Sequence, residues 1–459
     1  MENFDTNTVT SCILNVIFGE SPRVHFVGVL GAGMLPLAML LSSLGVDVSG
    51  TDRQNPPDAS PLFEGKIDFL PYHTDKLLLD AKLVVYSLAI PEDAPELKYA
   101  KRHGIPTVTR AQLLGAIASR YKTSIAVAGT HGKSTTVAIL THILLYAGLN
   151  PTVISGASLM TGKSLLIGGD SVFIAEACEY KNAFHAIKPT VALITNIDHD
   201  HVDCFPDMES VYSAFHTFAL SADTRILNLS CESSRRLCRE LSDGVITYGT
   251  GGADYALVRY SLGAYQTEFL LEISGALYTF ALPVSGLGCM YDAIGAIAAA
   301  HRLGVPVSKI RDAVASFCGI GRRLEYIGSI NGRSVYYDYA HHPTEILNTV
   351  DVLTRRHGEI AVIFRPHTYS RTAALMDGFV NAFSSVKCLA LLDVFAAREI
   401  PDDGATSQSL ATAVGAHATV TEPKNALDYV LSHSAGAIVL MGAGEVDGVL
   451  SDIKVRLDK

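Results

Sequence analysis

No apolar run in the 459-residue chain reaches the ~18 residues that a membrane-spanning helix needs, so no membrane insertion is expected. The first residues include Glu2 and Asp5 in place of the basic start of a secretory leader, which predicts a cytoplasmic protein. The eight cysteines are scattered, with no Cys-x-x-Cys pair, so neither a zinc module nor a disulfide framework is expected and the thiols read as reduced. Positive charge is in deficit: 36 Lys and Arg stand against 46 Asp and Glu, for a net charge of −10. That balance argues against a nucleic-acid surface and suits an enzyme that handles small anions locally. Repeats and low-complexity tracts are absent as well.

What the chain does have is enough apolar content (48%) for several cores, and its length suggests about three domains. Buried strands alternate with helices over most of it, which predicts an α/β protein built on parallel sheets. The expected divisions fall at 1–122, 123–325 and 326–459.

The organising stretch is Ser124-Ile-Ala-Val-Ala-Gly129-Thr130-His131-Gly132-Lys133-Ser134-Thr135-Thr136. Ser124 to Ala128 reads as a buried strand and Lys133 to Tyr146 as a helix, with a glycine loop between them. Glycines let backbone N–H groups turn toward an anion, and the helix N-terminus adds the positive end of its dipole. Lys133 then neutralises terminal phosphates while the Ser134 hydroxyl ligates a divalent cation. Val127 stands where the common phosphate loop has its first glycine, so this is a shortened variant.

Upstream, Val24 to Gly28 reads as a strand, followed by a glycine turn through Gly31, Gly33 and Met34, a helix, and a second strand ending at Thr51-Asp52. This is a dinucleotide-type unit, but its glycines miss G-x-G-x-x-G, with Pro36 at the third position, which argues against a nicotinamide enzyme. Asp52 is a ribose or uracil contact, or a strand-end turn residue. Leu83 to Ile90, which includes Ser87, reads as a further strand.

After the phosphate loop, one buried strand ends in Glu176 and Glu179, and another, Thr190 to Asn196, runs into Asp198-His-Asp-His201. Ligands of parallel sheets sit beyond the carboxyl ends of the strands, so Glu176, Asp200 and His201 are expected above Lys133. A cation bridging phosphate oxygens would offset the cost of burying such acids. Oxygen and imidazole donors suit Mg²⁺ or Mn²⁺. Residues Ala253 to Val284 read as antiparallel strands, and the last segment as a second parallel sheet with helices on both faces.

The Gly129–Thr135 and Thr195–Asp203 stretches, with Glu176-Ala-Cys-Glu-Tyr180, resemble the Mur ligases, ATP-dependent amino-acid ligases of cell-wall precursor synthesis. The resemblance covers essentially the whole chain. It implies a Rossmann-like N-terminal domain, a central phosphate-loop ATPase-type domain with a mixed sheet, and a Rossmann-like C-terminal domain. It further implies ATP and Mg²⁺ as cofactors, UDP-N-acetylmuramate and L-alanine as substrates, and a monomer or homodimer.

By the same resemblance ATP falls to Gly129, Thr130, His131, Gly132, Lys133, Ser134, Thr135, Asn196, Arg323 and Asp338, and the metal to Ser134, Glu176 and His201. The sugar nucleotide and amino acid fall to Gly31, Gly33, Met34, Asp52, Ser87, Tyr339, His341 and Arg371, with Lys133, His201, His341 and Arg371 catalytic. A sister ligase that adds a ready-made peptide, and a nucleotide-binding paralogue without ligase activity, remain open. The chain departs from the family pattern at Leu30, at Gly288-Cys289 and Asp292 (where His-Asn and Asn are usual), at Tyr337, and at Thr368 in place of an Arg.

Overall fold

The computed structural model describes residues 6–53, 62, 64, 66–159, 162–241, 243–397, 399–402, 404–444 and 446–458. Three sheets follow one another along the chain. The first holds β1 (Arg23–Val27), β2 (Asp47–Thr51), β3 (Asp68–Leu70), β4 (Leu83–Tyr86) and β5 (Thr107–Thr109), all parallel, in the order β3-β2-β1-β4-β5. That is the Rossmann order, and its switch point lies between β1 and β4. The strand expected to run to Ile90 stops at Tyr86, because Ser87 opens a turn closed by Ile90 N–H donating to Ser87 O.

The second sheet has ten strands: β6 (Thr123–Ala128), β7 (Thr152–Ile154), β8 (Leu165–Leu166), β9 (Val172–Glu176), β10 (Val191–Ile194), β11 (Thr224–Asn228), β12 (Val245–Gly249), β13 (Tyr255–Leu262), β14 (Thr267–Ile273) and β15 (Ala276–Leu282). Their order is β15-β14-β13-β12-β11-β10-β6-β9-β7-β8, with β6 between β10 and β9 and parallel to both. The β13-β14-β15 meander is antiparallel, as expected, which makes the sheet mixed. β6 carries a continuous buried run from Ser124 to Ala128, the pattern of a strand covered on both faces. The helix Lys133–Tyr146 covers one of those faces and packs on the helix Leu287–Arg302.

The third sheet holds β16 (Glu325–Ile330), β17 (Arg333–Asp338), β18 (Ile360–Arg365), β19 (Cys388–Leu391), β20 (Ala418–Val420) and β21 (Ala437–Gly442), in the order β16-β17-β21-β18-β19-β20. It is parallel except at one edge: β16 pairs antiparallel with β17 through a two-residue turn at Asn331-Gly332. An all-parallel third sheet was expected, so this edge corrects that reading.

One apolar core runs through the first two units, joined by the helix Arg110–Ala118, whose Leu113, Leu114 and Ile117 are buried among residues of both. The third unit has its own two cores, one on each face of its sheet. The connector into it is stitched to the third unit: Arg322 N–H donates to Glu325 Oε2 (2.7 Å), Leu324 N–H to Asp338 Oδ2 (3.0 Å), and Tyr339 N–H to Arg322 O (2.8 Å). Among the described residues, no helix is long and apolar enough to cross a membrane, and all eight cysteines are free.

Candidate active site

Gly129 (φ +143°) turns the chain off β6, and Gly132 (φ +81°) is the N-cap of the helix Lys133–Tyr146. Between them the loop is bolted to the end of β10. The Asn196 side chain accepts from His131 N–H (2.9 Å) and donates to His131 O (3.0 Å), while Thr195 Oγ1 also donates to His131 O (2.6 Å). Asp198 N–H donates to the Thr130 hydroxyl (2.9 Å), which faces the Asp198 carbonyl. The first-turn amides of Lys133, Ser134 and Thr135 have no partner within the helix they start, so they form an anion cradle at the positive end of its dipole.

Lys133 folds back over this loop. Its ammonium donates to the carbonyls of Gly129 and Thr130 and to both oxygens of Glu179 (3.1 and 3.0 Å). Burial alone would lower the lysine pKa, but the Glu179 carboxylate beside it raises it, so it stays charged. The reciprocal effect holds the buried Glu179 below its ordinary range. His201 (φ +52°) reaches the same carboxylate, Nε2 to Oε1 at 3.5 Å.

The acid that pairs directly with Lys133 is Glu179, while Glu176, expected above the lysine, acts on its charge without touching it. Glu176 Oε1 accepts from Ser155 Oγ (2.8 Å) and Gly156 N–H (2.6 Å), on the facing wall of the cleft. Glu179 was legible as one of the acids ending that strand, yet its part in the site was missed. It reaches the lysine because the 3₁₀ turn Tyr180–Ala186, with Lys181 and Asn182 at positive φ, swings the chain back.

Asp200 and Arg371, 171 residues apart, form a buried bidentate pair: Nε to Oδ1 is 2.8 Å and Nη2 to Oδ2 is 3.1 Å, with side chains 7% and 6% exposed. Arg371 Nη1 is spent on His367 (2.9 and 3.1 Å). Burial would raise the Asp200 pKa, but the guanidinium holds it far below the carboxylate range. Arg371, expected at a substrate oxyanion, has its guanidinium committed in this arrangement, where it ties the central unit to the third.

A second seam lies beside it. His131 Nδ1 is 3.3 Å from Glu345 Oε1 and its Nε2 is 3.4 Å from Asp198 Oδ2. Burial opposes charge on this ring, but the two carboxylates win and lift it to about 9. Thr344 Oγ1 donates to Asp198 Oδ2 (3.2 Å), and the His342 ring lies 4.4 Å from that of His131. Donor atoms of His131, Asp198 and His342 lie within 4.8 Å of one another. The two carboxylates favour a proton on His131, and His342 Nδ1 already caps the helix Pro343–His357 by accepting from Thr344 N–H. Asp198, read in the sequence as part of the Asp/His loop, meets His131 within the central unit, whereas Glu345 reaches that ring from the third unit.

A cavity of about 540 Å³ opens next to the loop, bounded by His131, Thr135, Asn196, Asp292, Arg323 and Asp338. Arg323 lies 3.8 Å from Glu345 and 5.3 Å from the Tyr339 ring. Asp338 accepts from Leu324 N–H (3.0 Å), Ala340 N–H (2.8 Å) and Thr349 Oγ1 (2.9 Å), so it shapes the cavity wall with its oxygens already occupied. The half-buried His341 is held neutral, lowered to about 3 by desolvation first, and its Nδ1 rests on Tyr339 O (3.0 Å).

For a divalent cation the cleft supplies the Ser134 hydroxyl, Glu176 with its second oxygen uncommitted, and the His201 imidazole. Oxygen and imidazole donors of this kind fit Mg²⁺ or Mn²⁺.

In the first unit Asp52 Oδ2 accepts from Leu30 N–H (3.0 Å), bracing the glycine turn. The Leu30 side chain packs on the core and does not crowd the turn. Gly31 and Met34 hold that turn through main-chain bonds, and Ser87 Oγ accepts from Ala89 N–H (3.3 Å). Gly33 makes room for Arg110, whose Nη1 lies 3.0 Å from where a Cβ would stand; sequence reading passed over Arg110.

A phosphate loop on a mixed central sheet, flanked by a Rossmann-order unit and a second α/β unit that closes onto the loop, defines a three-domain nucleotide-dependent enzyme. Three family profiles match in the same order: "Mur ligase family, catalytic domain" at residues 23–122, "Mur ligase middle domain" at 127–300, and "Mur ligase, glutamate ligase domain" at 322–444. The chain belongs to the Mur ligase family.

It is 36% identical over 455 residues to the UDP-N-acetylmuramate–L-alanine ligase of Lachnospira eligens, covering 95% of this chain and 98% of that one. It is 35% identical to the enzyme of the same name from Streptomyces coelicolor, with the same coverage. Among solved structures, the UDP-N-acetylmuramate–alanine ligase of Thermotoga maritima superposes with a TM-score of 0.79 at 26% identity, over 94% of this chain and 98% of that one. A murein peptide ligase from Psychrobacter arcticus shares the fold, with a TM-score of 0.72 at 23% identity over 95% and 100% of the two chains.

Proposed function

We propose that this chain joins L-alanine to the lactyl carboxylate of UDP-N-acetylmuramate at the expense of ATP, as a cytoplasmic step of peptidoglycan precursor synthesis. The observation that carries the reading is the cleft in which Lys133, Glu179 and His201 meet over the glycine loop, beside a nucleotide-sized cavity closed by Arg323. The alanine ligases that match nearly the whole chain supply the substrates.

The γ-phosphate passes to the carboxylate, forming an acyl phosphate. The amine of L-alanine attacks its carbonyl carbon, and the tetrahedral intermediate expels inorganic phosphate. No covalent enzyme intermediate is required. Alignment and charge stabilisation do the work, with the loop amides and Lys133 neutralising the transferring phosphoryl group. Glu179 sets where the ammonium of Lys133 lies before substrate arrives. His341, held neutral with Nδ1 on Tyr339 O, accepts a hydrogen bond from the incoming amine on its other ring nitrogen. Arg371 closes the third unit onto the site through Asp200, and Gly31, Gly33 and Met34 with Arg110 receive the sugar nucleotide. Ser134, Glu176 and His201 would hold Mg²⁺, which when bound neutralises phosphate oxygens.

The test is phosphate release from ATP with UDP-N-acetylmuramate and a panel of L-alanine, glycine, L-serine and a wall tripeptide. L-Alanine is expected to give the highest kcat/KM, and Lys133→Met to lower it by about a thousandfold or more. Turnover with the tripeptide alone overturns the alanine assignment in favour of a peptide-adding enzyme.

A further inference from the structure

Asp292 stands on the buried face of the helix Leu287–Arg302, inside the nucleotide cavity and only 7% exposed. Its carboxyl lies against the phosphate loop: a Cβ built on Gly132 would fall 2.1 Å from Oδ1. No lysine, arginine or histidine among the described residues comes within ion-pair distance of it. A carboxylate here would face the triphosphate across a site of low dielectric, like charge on like charge. A protonated carboxyl removes that repulsion and presents an O–H donor beside a carbonyl acceptor.

Resting on the ATP-dependent reading above, we propose that Asp292 holds the nucleotide as a neutral carboxylic acid, so that ATP binding takes up a proton that an asparagine would not require. The O–H donates to the nucleotide, while the other oxygen faces the Thr136 hydroxyl at the start of the helix Lys133–Tyr146.

The groups around it bear on the charge in opposite directions. From the loop His131, and from the connector Arg323, favour the carboxylate; from the helix Pro343–His357, Glu345 opposes it. Tyr248 from β12 and Cys289 on the same helix are themselves pushed up by burial first and then by Asp292, so both stay neutral. Burial dominates and raises Asp292 to about 8 even without nucleotide. A group raised in this way binds its proton below that value and loses it above.

The test is isothermal titration of the full chain with MgATP alone, between about pH 7 and 9.5, above the range in which phosphates titrate, in buffers of different ionisation enthalpy. For the parent chain, affinity is expected to fall by about tenfold from pH 7 to 9, with nearly one proton taken up per ATP at pH 9. Asp292→Asn is expected to take up nearly one proton fewer than the parent and to raise the variant-to-parent affinity ratio by about tenfold over the same span. His131 titrates in both proteins and cancels in the ratio. Absence of proton uptake in the parent overturns the proposal without recourse to any variant, as does a ratio that does not change with pH. Phosphate release with UDP-N-acetylmuramate and L-alanine, run in parallel, tests the ligase reading separately. Its failure leaves the ATP titration interpretable, and a flat titration leaves the ligase reading standing.

Discussion

Asp200→Asn removes one charge from a pair that is buried on both sides and spans two units. The Arg371 guanidinium then keeps its hydrogen-bond partner but loses its counter-ion at a position 5% exposed. Breaking a buried pair by altering one member costs about 3–5 kcal/mol, because the remaining charge is left uncompensated. By contrast Arg236 with Glu209, whose side chains are 43% and 65% exposed, is worth under ~1 kcal/mol. Much of the Asp200 penalty can be relieved by water reaching the seam, so the cost is taken mainly from docking of the third unit. At about 3 kcal/mol the open fraction rises by about a hundredfold.

Hydrogen exchange reads this locally. Protection of the Thr372 amide, bonded to Thr368 O, and of the His201 amide, bonded to Asp200 Oδ1, is expected to fall by about that factor, while β6 amides are unchanged. Arg371→Met combined with Asp200→Asn is expected to cost at least ~1 kcal/mol less than the two singles summed. The reasoning fails if exchange at both sites stays within about threefold of the parent, or if the double variant is additive within ~0.3 kcal/mol.

The His131 seam depends on pH. Because its pKa is raised to about 9, its contribution is complete below the ordinary histidine range and is lost as pH climbs through 9; thermal midpoints from pH 7 to 10 are expected to fall in the parent, and to fall less in His131→Gln. Gly129→Ala would place a methyl 1.9 Å from Thr195 Oγ1 at φ +143°, so a loss of about 2–4 kcal/mol by denaturant unfolding is expected, with ATP affinity falling alongside. Gly45→Ala, also at positive φ but with open space around it, is the comparison: it is expected to cost only about 1 kcal/mol.

What could be read from the chain was what depends on neighbours in sequence. β6, the glycine loop and the helix Lys133–Tyr146 are consecutive, and burial pattern, φ requirements and helix start agree on one answer. Glu179 was misjudged because its direction is set by two positive-φ residues two and three positions later, which no periodicity reveals. Arg371 was recognisable as a buried-site cation, but its anion comes from a loop 171 residues away and is chosen by how two units dock. β16 escaped notice because Gly328 and a register shift against β17 break its alternation.

The stitched connector decides which atoms travel together. Arg322 and Leu324, at φ +60° and +50°, are clamped to β16 and β17, so any swing of the third unit is taken up ahead of them, at Gly319 (φ +83°) to Gly321. Arg323, between those two clamped residues, is therefore carried with the third unit and not with the glycine loop. In the proposed reaction, a cation that arrives with the unit seating the amino acid would make premature hydrolysis of ATP a matter of mechanical timing.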